Sequence, residues 1–243
     1  MINTRKPHAV LAAALLGLGL AFGSPTTASA ADCTTETIEG WESVELSIGV
    51  KHAQTMHLGV ITAEECGATG ATATIKDPVR GTQKVTLTKE LDTEGHVRWT
   101  GEYQVSPKKL TNADAGTWPI TYAVTGATPD SVAINAKVRR AVRGSFNAGP
   151  EPVKNGRITF SGKLERASWS KKKYYGLSRD LEVSYAAEEE AEPVVVSTPR
   201  SNTAGKYRVT QHYPGPGAYQ LTWPGSSSTS PFASQADRVD TPA

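Results

Sequence analysis

The residues with the clearest binding chemistry lie in one short segment, in which three consecutive lysines are flanked by aromatic side chains. Its members are Trp169, Lys171, Lys172, Lys173, Tyr174 and Tyr175. Ammonium groups pair with phosphates or carboxylates, and aromatic faces stack on sugars, so the segment is suited to an anionic cell-wall polymer. The alternative is a solvated lysine loop on which Trp169 and Tyr174 pack into the protein.

Catalytic motifs are absent from the sequence. It contains no G-x-S-x-G elbow, no H-E-x-x-H pair and no phosphate-binding glycine loop. His52 and His57 are five positions apart, so on one strand they would face opposite sides, unlike a pair of metal ligands. We therefore expect a protein that is not an enzyme. An orphan hydrolase whose triad comes from distant residues is the remaining catalytic alternative.

The first 30 residues have the organisation of a cleaved secretory signal peptide. Arg5 and Lys6 form a basic start, residues 9–22 form an apolar core too short for a membrane span, and Ala-Ser-Ala at 28–30 is a cleavage motif. No later apolar stretch approaches the roughly 20 residues of a membrane helix. The sequence therefore predicts a secreted protein without membrane insertion.

Removal of the predicted signal peptide changes the charge of the chain. The full sequence has 26 basic and 24 acidic residues and a formal net charge of +2. Two of the basic residues lie in the leader, so the mature chain has 24 of each and no net charge. Because it also lacks a basic run of the kind that binds nucleic acid, we expect no nucleic-acid partner.

The two cysteines of the chain are Cys33 and Cys66, and they form no CxxC motif. In an oxidising compartment, a single pair of cysteines usually forms a disulfide. On chain-entropy grounds a bridge across this loop would stabilise the fold by about 3–4 kcal/mol. We expect it to attach the mature N-terminus to the first domain.

Beyond residue 40 the sequence consists of short runs in which apolar and polar residues alternate, separated by turn signals. In the first half, the clearest runs are 44–48, 56–60, 71–75, 85–88 and 97–100. In the second half, they are 157–164, 180–185, 193–198, 206–212, 218–223 and 238–240. This period of two indicates β-strands with one buried face, and their number and spacing are typical of β-sandwiches.

A motif recurs along the chain with the spacing of one immunoglobulin-like domain. The segment 116–122, Gly-Thr-Trp-Pro-Ile-Thr-Tyr, is repeated as Gly-Ala-Tyr-Gln-Leu-Thr-Trp at 217–223. We therefore predict an all-β protein with two tandem immunoglobulin-like β-sandwich domains, 31–140 and 141–243, behind the signal peptide at 1–30. Segment 114–118 is expected to form an aromatic corner before strand F, and the junction at 138–144 has no flexible linker.

The second half also resembles a family of proteins. The matching residues are the run from Ser145 to Leu164, Trp169, Tyr174, Gly176, Gly205 and the closing run 234–239. They are similar to a pattern in secreted actinobacterial proteins, in which an N-A-x-P-E-P-V-x-x-G turn precedes a G-x-L strand. Segments 49–50, 62–67 and 115–118 carry the resemblance into the first half. These relatives are tandem immunoglobulin-like sandwiches of largely uncharacterised function, and some are labelled calcium-binding.

The resemblance implies a calcium site at Glu64 and Glu65. The relatives have an Asp-Asp-Ser-Gly-like turn where this chain has Glu-Glu-Cys-Gly at 64–67. Calcium takes six to eight oxygen ligands, and the sequence has no D-x-D-x-D run to supply them. We therefore expect a solvated acidic turn here and no cofactor.

Together, these features favour a secreted, non-catalytic binding or structural protein of the cell envelope or extracellular space. Its expected partner is a cell-wall polymer or an extracellular protein. The alternative function is that of an extracellular calcium-binding protein.

Overall fold

A computed structural model describes residues 35–37, 44–91, 96–126, 129–154, 156–188 and 191–240. This part of the chain is all-β, with 17 strands and two short 3-10 helices. Within these ranges, no helix has the length and apolar character needed to cross a membrane. The predicted signal peptide at 1–30 lies outside the described residues, as does Cys33.

The first eight strands form one continuous set of paired strands. They are β1 (Glu36–Thr37), β2 (Glu45–Ile48), β3 (Gln54–Ala63), β4 (Ala68–Asp77), β5 (Gly81–Leu91), β6 (His96–Val105), β7 (Gly116–Gly126) and β8 (Asp130–Arg140). Their order is β1-β3-β6-β5-β4-β7-β8-β2. The pairs are antiparallel except for β2 and β8, which run parallel.

Strand β5 belongs to two sheets and so joins the two faces of a sandwich. Its residues 81–87 pair with β4, whereas residues 88–91 pair with β6. The chain therefore gives a sheet β1-β3-β6-β5 and a sheet β4-β7-β8, to which β2 adds an edge. These are the ABED and CFG orders of an immunoglobulin-type sandwich, so the all-β, immunoglobulin-like fold predicted for this region is confirmed.

The core of this sandwich is made by alternate residues of facing strands. In β7 the residues at 118, 120, 122 and 124 are buried, while their neighbours point outward. In β3, Met56, Leu58 and Val60 have no exposed surface. The period of two seen in the sequence is therefore the division between core and solvent. We refer to these residues and those packed with them as the first core.

The later strands form two further sheets. They are β9 (Val142–Lys154), β10 (Arg157–Ser168), β11 (Lys173–Gly176), β12 (Glu182–Ala186), β13 (Val194–Ser197), β14 (Lys206–His212), β15 (Gly217–Trp223), β16 (Phe232–Ala233) and β17 (Asp237–Val239). In one sheet, β10 pairs with β9, β11 and β14. In the other, β15 pairs with β12, β16 and β17, and β13 adds an edge to β12. Between them lies a second core that includes Phe160, Val183 and Tyr219.

Strand β9 differs from the sequence-based expectation. The family pattern implies a turn at 147–156, but residues 142–154 pair with β10 in antiparallel register, with an irregularity between Arg157 and Thr159. Pro150 and Pro152 have no N–H group to donate, and a strand can accommodate proline where that donor is not needed by a neighbour. The proline-rich segment therefore serves as a strand of the sheet.

The two copies of the repeated motif adopt the same local structure. The indole N–H of Trp118 donates to the carbonyl of Asp114 at 2.9 Å. The hydroxyl of Tyr219 donates to the carbonyl of Gly215 at 2.6 Å. In both, a buried aromatic residue near the start of a strand reaches the carbonyl four positions earlier, as in the tyrosine corner of immunoglobulin-like domains. The aromatic corner predicted at 114–118 is thus present, and a second corner that was not predicted lies at 215–219.

The connection between β8 and β9 is a single residue, Ala141. Its N–H donates to the carbonyl of Ile48 at 2.9 Å, and its carbonyl accepts the N–H of Ala167 at 2.8 Å. The division into 31–140 and 141–243 stays a prediction. Ala167 and Trp169, which follow the predicted boundary, lie in the first core.

Candidate functional site

The predicted ligand segment is the tip of a hairpin between β10 and β11. Ser168 pairs with Lys173, so residues 169–172 form the connection. Lys172 has a φ angle of 54° in this connection, in the left-handed region that a residue with a Cβ rarely occupies. A specific set of contacts must therefore hold the hairpin tip in place.

Trp169 provides the first of these contacts. Its side chain has no exposed surface and packs into the first core. The indole N–H donates to the carbonyl of Ile48 at 3.0 Å, and the backbone N–H donates to Asn112 Oδ1 at 2.9 Å. The packing interpretation therefore describes Trp169, whose ring is not accessible to a ligand.

Lys172 provides the second set of contacts that hold the hairpin tip in place. Its ammonium group donates to the carbonyls of Pro107, Lys108 and Leu110, at 2.8, 3.1 and 3.1 Å. An ammonium group has three N–H donors, so this arrangement occupies all of them. Lys172 thus attaches the hairpin to the turn after β6, and we do not assign it to a ligand.

A cleft of about 540 Å³ lies between this hairpin and the loop that follows β2. Its basic lining residues are Lys51, His52, Arg143, Lys172 and Lys173. Among the described residues that line it, none is acidic. We call this the basic cleft. Its composition is suited to a negatively charged ligand.

The guanidinium group of Arg143 shapes one wall of the basic cleft. It lies over the ring of Tyr174, with 4.1 Å from the guanidinium carbon to the ring centroid. It also pairs with Glu165 at 2.9 Å. A hydrogen bond from Lys163 and then one from Arg143 lower the pKa of Glu165 despite its partial burial. Arg143 is therefore held in place by Glu165 and by the ring of Tyr174.

Lys51 and Lys173 are the cations of the cleft that remain available. Both side chains are exposed, and in the described part of the chain neither has an ion-pair partner. The side chain of His52 is also exposed. Electrostatic attraction in the cleft thus depends chiefly on two lysines from different segments.

The remaining residues of the predicted ligand segment lie outside the lining of the cleft. Tyr175 is 42% exposed, and the ammonium nitrogen of Lys173 lies 5.1 Å from its ring centroid. Lys171 is exposed. The hairpin therefore brings Lys172, Lys173 and Tyr174 to the cleft but leaves Lys171 and Tyr175 elsewhere on the surface. Their role in binding stays a prediction.

The predicted calcium turn is a 3-10 helix, Glu64–Cys66. Glu64 is exposed, and the side chain of Glu65 lies outside the described residues. In the described ranges, no group of three or more His, Cys, Asp or Glu residues is arranged to hold a metal. Cys66 is 4% exposed, and no described cysteine is free. Because Cys33 is not described, its disulfide with Cys66 stays a prediction.

Three residues that line the cleft were not assigned to a binding site from the sequence. Lys51 and His52 lie in the loop after β2, and Arg143 lies on β9, so all three are distant in sequence from the hairpin. The only local signal was the pair of basic residues at 51–52 between two predicted strands. They come close to Lys173 because of the junction at Ala141. The alternation of apolar and polar residues predicts single strands and gives no information about such a junction.

No family model matches the chain, and no curated protein matches it in sequence. Among solved structures, it is similar to a tetra-tandem repeat in the extending region of a large adhesion protein. That comparison has 13% identity and a TM-score of 0.31, and it covers 82% of this chain and 48% of the other. The chain thus spans about half the length of that structure.

Two other solved structures resemble the chain over most of their own length. For an amphioxus IgVJ-C2 molecule, the identity is 11% and the TM-score 0.27, with coverage of 81% of this chain and 99% of the other. For the D00-D0 domain of intimin, the identity is 13% and the TM-score 0.27, with coverage of 85% of this chain and 98% of the other. At these scores we base neither the fold nor the function on the likenesses; the immunoglobulin-like assignment follows from the strand order.

Proposed function

We propose that this chain is a secreted, non-catalytic binding protein of the cell envelope or extracellular space, and that its basic cleft takes an anionic polymer. The observation that carries the proposal is the lining of the cleft, where basic residues from both sides meet with no described acidic residue among them. A polymer of repeating phosphates or carboxylates matches this distribution of charge.

The cleft is held in shape before a ligand arrives. Trp169 fixes the hairpin on one side, and Lys172 fixes its tip through three carbonyls. Only the side chains of Lys51 and Lys173 have to be ordered on binding, which keeps the entropic cost low. Binding at exposed lysines is nevertheless screened, with a Debye length of about 8 Å at physiological salt. We therefore expect weak, salt-sensitive binding to each polymer segment.

The test removes the available charges without disturbing the hairpin. A Lys51→Gln, Lys173→Gln variant is compared with a Lys76→Gln, Lys84→Gln control, which loses the same charge at exposed positions outside the cleft lining. Lys172 is left intact in both proteins. Binding to cell-wall material is measured with and without its anionic polymers, over a range of salt concentrations.

We expect the cleft variant to lose binding to material that carries anionic polymer, while the control retains it. Both variants should keep the melting temperature of the parent protein because the substituted lysines are solvated. Equal binding by the two variants would overturn the assignment of the cleft. Binding that is indifferent to salt would overturn the electrostatic argument.

A further inference from the structure

A second concentration of positive charge lies away from the lining of the basic cleft. It is formed by Arg140 at the end of β8, Arg166 on β10 and Arg179 in the segment after β11. Arg140 is buried, with 8% of its surface exposed, while Arg166 is half-buried and Arg179 is exposed. We call these three residues the arginine cluster.

Two of these guanidinium groups converge on one short loop, 226–230, with the sequence Ser-Ser-Ser-Thr-Ser. Arg140 Nε and Nη2 lie 3.4 and 3.5 Å from the carbonyl and hydroxyl oxygens of Ser228. Arg166 Nη1 donates to Thr229 Oγ1 at 3.3 Å. All three distances exceed the usual 2.7–3.2 Å, so they compensate the desolvated charges poorly.

The loop itself is firmly attached to the end of β8. The N–H of Arg140 donates to the carbonyl of Ser228 at 3.1 Å, and the N–H of Ser230 donates to the carbonyl of Arg140 at 3.0 Å. Thr229 has no exposed surface. The two arginines therefore meet the hydroxyl groups of a loop whose backbone position is already fixed.

Carboxylates that could neutralise the cluster are engaged elsewhere. Glu165, next to Arg166 in sequence, pairs with Arg143 and Lys163. Asp180, next to Arg179, pairs with Arg200 at 2.7 Å. In the part of the chain that the structure describes, no carboxylate forms an ion pair with a member of the cluster.

The charges in the cluster act on one another. Burial and then the charge of Arg166 lower the pKa of Arg140 to about 10. Burial and then the charge of Arg179 lower the pKa of Arg166. Arg140 is still protonated at neutral pH, so like charges meet in a partly desolvated place, an arrangement that is costly without an anion.

We propose that Arg140 and Arg166, where they meet loop 226–230, form a binding site for an oxyanion, that is, for a phosphate, sulfate or carboxylate group. A guanidinium group presents a planar fork of N–H donors that matches such groups, and it keeps its charge when partly buried. The hydroxyl groups of Ser228 and Thr229 lie against the same guanidinium groups. A bound oxyanion would neutralise a cluster that no described carboxylate neutralises.

The arginines of this site and the residues of loop 226–230 do not line the basic cleft. Successive residues of a strand point to opposite faces, so Arg166 faces away from Glu165, which contacts Arg143 in the cleft wall. The pairing partner of Arg166 on β11 is the exposed Tyr175. Residues paired directly across two strands share a face, so an aromatic ring adjoins the arginine cluster. When the oxyanion is part of a sugar, the sugar ring could therefore stack on the ring of Tyr175.

The experiment measures anion binding to the mature protein by calorimetry and by thermal unfolding. The probes are sodium sulfate and sodium phosphate, with sodium chloride at matched ionic strength as the reference. A uronate oligosaccharide forms a further arm and distinguishes an anionic glycan from a free inorganic ion. An Arg166→Gln, Arg179→Gln variant retains the buried Arg140. Its control is Arg208→Gln, Arg238→Gln, with equal charge loss at exposed positions.

We expect saturable heats with sulfate or phosphate and a melting temperature that rises more than in chloride. Binding should be at least tenfold weaker in the cluster variant and unchanged in the control. Sulfate also stabilises proteins by being excluded from their surface, so an equal rise in both variants without saturable heat would overturn the proposal. If the double variant does not fold, Arg166→Lys replaces it, because lysine keeps the charge but lacks the planar fork of N–H donors. A Lys51→Gln protein, which lacks one of the two available cations of the cleft, should keep the response, and this separates the result from the test of the cleft.

Discussion

Replacement of Trp169 by alanine should destabilise the first core even though the residue follows the predicted domain boundary. The indole has no exposed surface and contributes to that core. Truncation of a fully buried tryptophan to alanine costs about 3–5 kcal/mol. The mature protein should therefore unfold at markedly lower urea concentration.

Trp169→Phe separates the hydrogen bond from the packing. Loss of the bond to the Ile48 carbonyl costs about 1 kcal/mol. That carbonyl also accepts the N–H of Ala141 at 2.9 Å, so it is not left without a partner. With the smaller ring adding about 1 kcal/mol of lost burial, we expect a total of about 2 kcal/mol. The phenylalanine protein should thus lie between the parent and the alanine variant.

The assay is urea unfolding followed by circular dichroism, with native-state hydrogen exchange to locate the effect. Trp223→Ala is the control, since Trp223 is 5% exposed and lies in the second core. Trp169→Ala should lower the protection of amides around Val60 and Trp118. Trp223→Ala should act first on the second core. A cost below about 1 kcal/mol for Trp169→Ala, or a loss of protection restricted to the second core, would refute the described docking of the hairpin.

Three further predictions follow from single features. Burial alone would raise the pKa of Asp77, but hydrogen bonds led by that from Tyr103 lower it overall. The ionised carboxylate therefore contributes to the free energy of unfolding above its unfolded pKa of about 3.9, and this contribution is lost as pH falls through the lower folded pKa. Asp77→Asn should therefore make the free energy of unfolding less dependent on pH at acid pH, as measured by urea unfolding over a range of pH values. Tyr219→Phe removes the corner hydrogen bond and should cost about 1 kcal/mol in urea unfolding, and a neutral result would contradict the corner's role. Thiol titration of the denatured, exported protein should detect neither Cys33 nor Cys66, whereas two free thiols would exclude the predicted disulfide.

Much of the fold was predictable because local pattern and burial agree. Alternation located β14 at the observed bounds, and segment 114–118 was correctly predicted to form an aromatic corner. The continuation of β9 through residues 147–154 was missed because its glycine and prolines at 149–152 have the composition of a turn, whereas its pairing with β10 is set by tertiary contacts. The division of β5 between two sheets also has no local signal.

The site was less predictable because its contacts join distant parts of the chain. The lysine segment was identified, but the role of Lys172 depends on carbonyls more than 60 positions earlier. Lys51 and Arg166 drew no attention because a single exposed or strand-borne cation is common in any protein. Their possible roles become visible only in the folded chain. Lys51 lies in the wall of the cleft, and Arg166 interacts electrostatically with two other arginines.

The parallel pairing of β2 with β8 has a mechanical consequence. Residues 45–48 run alongside 137–140, and backbone bonds from Lys137 and Ala141 to Val44 and Ile48 close the two ends of this ladder. When the chain is pulled from a point before β2 and a point beyond β9, the load acts along these strands in shear. The bonds of the ladder then resist together rather than opening one after another. Tension applied directly to these two strands would thus be resisted by the whole of this short ladder at once.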